Sequence, residues 1–145
     1  MTLASRAAAF GELDAATLYA LLRLRVDVFV VEQRCAYPEL DGRDTEPGTV
    51  HHWIADGDEV AACLRVLEEP DGAARIGRVA VARHARGAGL AGRLLATALA
   101  DLEGRRCMLD AQRHLTGLYE RFGFSPCGPE FVEDGIPHVP MRRDP

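Results

Sequence analysis

The stretch "ARGAGLAGRLL", residues 85–95, combines three glycines with the beginning of an apolar helix. Gly87, Gly89 and Gly92 fit the pattern G-x-G-x-x-G. The first backbone N–H groups of a helix have no partner within the helix, and the helix dipole favours an anion beside them. Arg86 comes directly before the glycines and can add a forked, charge-assisted contact. The stretch therefore predicts a phosphate-binding loop.

Dinucleotide-binding proteins use the same glycine pattern, and Asp110 follows at about the distance at which they place an acid. In those proteins the first strand runs almost directly into the first glycine. Here the segment "ARHAR" separates Val81 from Gly87, and an antiparallel meander precedes the loop where parallel strands would be needed. We therefore expect a different phosphate ligand, and Asp110 has either another task or none.

Composition limits the other function classes. The chain has 145 residues, the size of one domain, which we place at residues 1–145. It lacks a run of about eighteen apolar residues, and an acid interrupts its N-terminal stretch, so we expect a soluble, cytoplasmic protein. All 17 basic residues are arginine, which excludes a Walker-type loop because that loop needs a lysine. The four cysteines have no zinc-site spacing, so no metal is expected.

Charge is unevenly distributed along the chain, whose net charge is −5. Residues 75–100 contain five arginines and no acid, whereas residues 32–59 contain eight acids and two arginines. Separate basic and acidic regions are typical of a protein that brings an anionic ligand together with a cationic one. Two differently solvated surfaces would give the same pattern. Because the basic segment is short and the chain is acidic overall, we do not expect nucleic-acid binding.

The element pattern predicts an α+β fold. A strand over residues 3–10 is followed by a helix capped by Asp14, a loop over residues 35–48 and a hairpin that turns at Asp56-Gly57-Asp58. A further strand, "RIGRVAV", leads to the glycines and to a helix with leucines on one face. A short strand, a short helix and a terminal hairpin complete the chain.

Two motifs in this order resemble the GNAT superfamily of acetyl-coenzyme A-dependent N-acetyltransferases. One signature is (Gln/Arg)-x-x-Gly-x-(Gly/Ala), which Arg86, Gly89 and Ala91 match. Its first residue, Arg86, follows Val81 by five positions. The other, Tyr-x-x-x-Gly-Phe, is matched by Tyr119, Gly123 and Phe124. The segments "LYALLRLRVDVFVVEQ", "AQRHL" and "EDGIPH" are similar to the ElaA-like subgroup. The resemblance implies a mixed, mostly antiparallel twisted sheet of about six to seven strands with flanking helices and a splayed central cleft.

The resemblance also implies where acetyl-coenzyme A, the acyl-donor substrate, binds. Backbone amides of the glycine loop would hold the pyrophosphate, the strand backbone would pair with the pantetheine arm, and Gln112 takes the place of an asparagine found in many relatives. The implied coenzyme-binding residues are Val79, Ala80, Val81, Arg86, Gly87, Ala88, Gly89, Leu90, Ala91, Gly92, Gln112 and Tyr119.

Direct attack of an amine on the thioester needs a neutral amine, a donor to the developing oxyanion and a proton for the departing thiolate. We assign the second role to the Val79 N–H and the third to the Tyr119 hydroxyl. Relatives carry a carboxylate base on the strand before the loop, where this chain has Arg75 and Arg78. The base is therefore left open among Glu32, His114 and His138.

The acids around Glu32, Asp41 and Asp44, with Glu133 and Asp134 at a rim, favour a cationic amine or peptide as acceptor. Two alternatives remain open: a non-catalytic acyl-coenzyme A sensor, and a synthase with a longer acyl donor. The sequence does not determine the oligomeric state, and a homodimer is compatible with it.

Overall fold

The computed structural model describes residues 3–145. Eight strands and three helices follow one another along the chain. They are β1 (Leu3–Ala9), α1 (Ala15–Val26), β2 (Val50–Asp56), β3 (Glu59–Glu68), β4 (Ala74–Val81), α2 (Leu90–Asp101), β5 (Cys107–Gln112), α3 (Thr116–Glu120), β6 (Ser125–Pro126), β7 (Phe131–Glu133) and β8 (Ile136–Arg143).

All strands belong to one sheet of order β1-β2-β3-β4-β5-β8-β6, and β7 pairs with β8. The mixed, mostly antiparallel sheet confirms the predicted fold class. The count is eight rather than six to seven because the first strand of the predicted terminal hairpin is divided into the two- and three-residue strands β6 and β7.

The sheet opens at its centre, between β4 and β5. These strands are parallel and pair only through Ala74 with Cys107 and Arg75 with Met108. By contrast, the pairs β1–β2, β2–β3 and β3–β4 are antiparallel and longer. Beyond Arg75, β4 continues for six residues, to Val81, without pairing to β5. The predicted splayed cleft is therefore present.

The first helix begins as predicted, with the Asp14 carboxylate accepting a hydrogen bond from the Thr17 amide at 2.7 Å. The regular α-helix ends at Val26, and residues Asp27–Glu32 form a π-helical segment. Valines make up half of this segment, and β-branched residues are poorer helix formers. Wider turns of this kind occur often at functional sites.

Helices cover both faces of the sheet. Trp53 and Ile54 are successive residues of β2, so their side chains point to opposite faces. Trp53 belongs to a cluster with Leu21 and Leu24 of α1, whereas Ile54 belongs to the larger cluster that contains the leucines of α2. No helix within residues 3–145 is both long and apolar enough to cross a membrane.

Candidate active site

The opening between β4 and β5 forms a cleft of about 780 Å³. The cleft brings together residues that are more than 100 positions apart in the sequence, such as Glu32 and His138, because both diverging strands, the π-helical segment after α1, α3 and β8 contribute to its walls. The sequence-predicted residues that line it are Val79, Ala80, Val81, Arg86, Ala91, Gln112, Tyr119, Glu32, His114 and His138.

The glycine loop, residues 86–92, lies at one end of this cleft. Gly87 and Gly89 have φ values of +83° and +73°, a left-handed conformation that costs residues with a Cβ free energy. Gly89 is the N-cap of α2 and supplies no side-chain cap to the first helical N–H groups. Exposed amides at the start of a twelve-residue helix suit a phosphate group.

A β-bulge interrupts the pairing of β4 with β3. Cys63 pairs with Ala80, but Arg65 pairs with Gly77, so β4 contains one additional residue between these pairs. Arg78 has φ +53°, which is uncommon for a residue other than glycine. Val79, to which the sequence analysis assigns the oxyanion donor, follows directly. A bulge re-aims the backbone beside a site, as this role requires.

Tyr119 lies in α3 and lines the cleft with 5% of its surface exposed. Its ring packs edge-on against Phe124, at a centroid distance of 6.2 Å and an interplanar angle of 77°. Burial raises the pKa of the phenol to about 12, so the hydroxyl keeps its proton at neutral pH. This side chain therefore carries a proton that it can donate to a group on which negative charge develops in the transition state.

Arg86 and Glu32 form a two-pronged ion pair. Nη1 and Nη2 of Arg86 each donate to one carboxylate oxygen of Glu32 at 2.7 Å, and Nε donates to the Val81 carbonyl at 3.1 Å. The hydrogen bond from Arg86 holds the pKa of Glu32 below its ordinary value. In this arrangement Glu32 is not the free base that the sequence suggested, since a salt-bridged carboxylate is a weaker proton acceptor.

Gln112, the last residue of β5, also has a partner at the cleft. Its side-chain amide exchanges two hydrogen bonds with the amide of Gln33, both at 3.3 Å. Gln33 follows Glu32 directly at the end of the π-helical segment. The sequence analysis did not single out Gln33, because nothing local connects it with a residue 79 positions away.

Two histidines line the same cleft. His114 lies in the turn before α3. His138 lies in β8, directly opposite Gln112 of β5, and stacks on the Phe131 ring at 5.6 Å. Its Nδ1 is 2.7 Å from the Ile136 carbonyl, which can only accept, so Nδ1 must carry the proton. With Nδ1 as the donor, it is Nε2 that carries the lone pair in the neutral form of the ring, as a base needs.

The acids of residues 39–44 are paired with arginines, which corrects the expectation that Asp41 and Asp44 are free carboxylates. They form an ion-pair cluster with arginines from α1, β3 and β4; Glu39 and Asp44 are buried in it, whereas Asp41 lies at its exposed edge and lines the cleft. Its contacts include Arg25–Glu39 at 2.7 Å, Arg25–Asp44 at 2.7 Å, Arg65–Asp41 at 2.6 Å and Arg78–Glu39 at 2.8 Å. The cluster contains three carboxylates and three guanidiniums, so their charges cancel. The pairs form because the loop that carries the acids folds onto the sheet.

Within residues 3–145, no group of three or more His, Cys, Asp or Glu side chains is arranged to hold a metal ion. Free carboxylates of the cleft are instead found at the turn between β7 and β8. Glu133 and Asp134 line the cleft, are exposed and form no ion pair with the part of the chain that the structure describes. They keep the rim position that the sequence suggested.

A cleft between diverging strands, with a phosphate-type loop at one end, defines the class of acyltransferases that take their acyl group from coenzyme A. Residues 24–145 match the family model described as "Acetyltransferase (GNAT) domain". The chain belongs to the GNAT acetyltransferase family.

Named relatives place the chain within this family. A UPF0039 protein of Mycobacterium tuberculosis is 52% identical over 99% of this chain and 94% of its own length. The crystal structure of an acyl-CoA N-acyltransferase from Pseudomonas aeruginosa is 39% identical, with a TM-score of 0.93 over 98% of this chain and 99% of the other. Escherichia coli ElaA is 36% identical, with a TM-score of 0.92 over 99% and 100%. The similarity to the ElaA-like subgroup is confirmed.

Proposed function

We propose that the protein transfers an acetyl group from acetyl-coenzyme A to a primary amine by direct attack in a ternary complex. The observation that carries this proposal is the cleft itself, which joins the glycine loop, the bulge at Val79 and the buried Tyr119. Acetyl-coenzyme A supplies the thioester, whose carbonyl carbon the amine nitrogen attacks. The carbon–sulfur bond then breaks, and the thiolate receives a proton.

Three groups of the chain would serve these steps. The Val79 N–H would donate to the carbonyl oxygen as negative charge develops there, and the bulge supports this role because it interrupts the regular ladder. The Tyr119 hydroxyl would donate its proton to the thiolate, which its retained proton at neutral pH favours. The amides of Gly87 to Gly92, with Ala88, Leu90 and Ala91 between them, would hold the pyrophosphate.

We assign the base to His138 rather than to Glu32 or His114. The Ile136 carbonyl fixes the tautomer of His138 and leaves Nε2 able to accept the proton of the amine, directly or through a water molecule. Glu32 is engaged by Arg86, and His114 has no partner within residues 3–145 that fixes its tautomer. His138 also lies opposite Gln112, whose side chain the resemblance assigns to the pantetheine arm.

The acceptor that we propose is a cationic amine, a small molecule or a peptide. Glu133 and Asp134 would attract its ammonium group at the rim of the cleft, now that Asp41 and Asp44 are neutralised by arginines. Attraction by exposed carboxylates raises the local concentration of a cation and weakens with added salt.

Turnover of acetyl-coenzyme A with a panel of cationic, neutral and anionic amines tests the proposal. We expect the highest kcat/KM for cationic amines, and we expect the E133Q/D134N variant to raise KM for these while leaving neutral amines unchanged. A preference for anionic acceptors would overturn the acceptor assignment. Turnover only with a long-chain acyl-coenzyme A would favour a synthase, and binding of acetyl-coenzyme A without turnover of any amine would favour a sensor.

A further inference from the structure

Two consecutive residues at the end of the π-helical segment hold Arg86 and Gln112, two of the side chains that the sequence analysis assigns to the coenzyme. Glu32 is bonded to Arg86, beyond the end of β4, and Gln33 is bonded to Gln112, at the end of β5. These partners lie on the two sides of the opening between the diverging strands. We call Glu32 and Gln33 the clasp.

The clasp leaves Arg86 no free fork for a phosphate. A guanidinium offers two pairs of parallel N–H donors, one from Nη1 and Nη2 and one from Nε and Nη2. The Glu32 carboxylate occupies the first pair at 2.7 Å, and the Val81 carbonyl occupies Nε. A phosphate can therefore bind Arg86 through a parallel pair of donors only if Glu32 or the Val81 carbonyl gives up its contact. The Val81 carbonyl belongs to the backbone of β4, so the Glu32 side chain is the partner that a phosphate can displace more easily.

The chemistry of the clasp matches that of the proposed ligand. A carboxylate, like a phosphate, offers two anionic oxygens to the fork of an arginine. The amide of Gln33, like the amides of a pantetheine arm, offers one donor and one acceptor to the amide of Gln112. Both mimics come from one short segment that departs from α-helical geometry.

We propose that the clasp occupies the coenzyme site in the free protein and that the coenzyme displaces it. This inference rests on the proposed function and adds a competition within its site. After displacement, the Glu32 carboxylate remains in the cleft, and the phosphate of the coenzyme neutralises the charge of Arg86. Binding of the coenzyme therefore releases the Glu32 carboxylate from Arg86 and should favour subsequent binding of a cationic amine.

The pair is weak enough to be displaced. The side chains of Arg86 and Glu32 are 41% and 28% exposed, and exposed ion pairs are only marginally stabilising because water and salt screen them. Removing the Glu32 charge is expected to tighten binding of coenzyme A about twofold to fivefold, the range that follows from such pairs.

Calorimetric titration with coenzyme A of the wild-type protein and of the E32Q, R86A and E32Q/R86A variants tests this. We expect E32Q to tighten binding and R86A to weaken it. In the double variant the benefit of E32Q should disappear relative to R86A. The matched control is E68Q, which removes the same charge from a similar pair, Arg105–Glu68 at 2.9 and 2.5 Å, outside the cleft, and it should not change the affinity.

Weaker binding by E32Q would overturn the clasp, because Glu32 would then position Arg86 for the phosphate. Equal tightening by E32Q with and without Arg86 would overturn it too, because the effect would be general charge repulsion. Failure of the wild-type protein to bind coenzyme A would instead overturn the proposed function itself. As a second readout, saturating coenzyme A should speed amide hydrogen exchange in residues 27–35, and slower exchange there would contradict displacement.

Discussion

Replacing Tyr119 with phenylalanine removes one hydroxyl group from the cleft and little else. The ring keeps its edge-on contact with Phe124, and no residue within 3–145 makes a hydrogen bond to the hydroxyl that the fold would lose. A missing hydrogen bond usually changes stability by about 1 kcal/mol, so we expect a smaller change in the free energy of unfolding here. The substitution therefore separates chemistry from folding.

The expected loss of rate follows from the role of the hydroxyl as proton donor. General acid catalysis contributes roughly 100-fold to 10,000-fold, and a 100-fold loss corresponds to about 2.7 kcal/mol of transition-state stabilisation. Since the pKa of Tyr119 is about 12, the wild-type residue is protonated over the whole range in which the assay is run. The loss should therefore be the same at pH 7 and pH 9.

Steady-state kinetics with acetyl-coenzyme A and the best amine of the panel, together with calorimetry for coenzyme A, measures both effects. For Y119F we expect kcat at least 100-fold lower and an affinity within about twofold, since the phenol donates only late in the reaction. Tyr19 is 73% exposed on α1, so Y19F is the matched control and should retain full activity. A kcat of Y119F within threefold of wild type would refute the role of Tyr119.

Three further outcomes are expected. R25A leaves the buried carboxylates of Glu39 and Asp44 with one guanidinium fewer, so it should lower the free energy of unfolding, measured by urea denaturation, by about 3 kcal/mol. R105A, at an exposed ion pair, should lower it by less than about 1 kcal/mol. Burial alone would raise the pKa of Asp44, but Arg25 and Arg65 outweigh this effect and lower that pKa. The stability that the lowered pKa confers is present above about pH 4 and is lost as the pH falls further. The urea midpoint of unfolding should therefore drop between about pH 5 and pH 3. G89A meets no atom within 4 Å but must keep φ +73°, so we expect a cost of about 1–2 kcal/mol and weaker coenzyme A binding by calorimetry, whereas G11A, also in open space but without positive φ, should change neither.

Local chemistry made much of the fold predictable from sequence. Asp14 caps α1 through a neighbour three residues away, and Gly57 allows the tight turn between β2 and β3 at φ +60°. The glycine loop and the motif around Tyr119 are also short patterns whose physical role depends on few neighbours. Such features could be read before any tertiary contact was known.

The ion-pair cluster could not be predicted in the same way. Its acids lie close together in the sequence, but Arg25, Arg65 and Arg78 reach them from α1, β3 and β4, up to 39 positions away. Counting charges along residues 32–59 therefore predicted a surface that binds cations, where the fold has a largely buried cluster whose charges cancel. The tautomer of His138 and the contact between Gln33 and Gln112 likewise depend on strand pairing.

The cationic members of the ion-pair cluster are all guanidiniums, and the whole chain contains no lysine. A lysine in the same place would carry a primary amine, the functional group that a thioester acylates, and acylation would erase its charge. Arginine keeps its proton at any pH at which proteins are folded and is therefore a poor nucleophile. The ion-pair cluster beside the cleft therefore offers no lysine amine to the reactive donor that we propose the cleft binds.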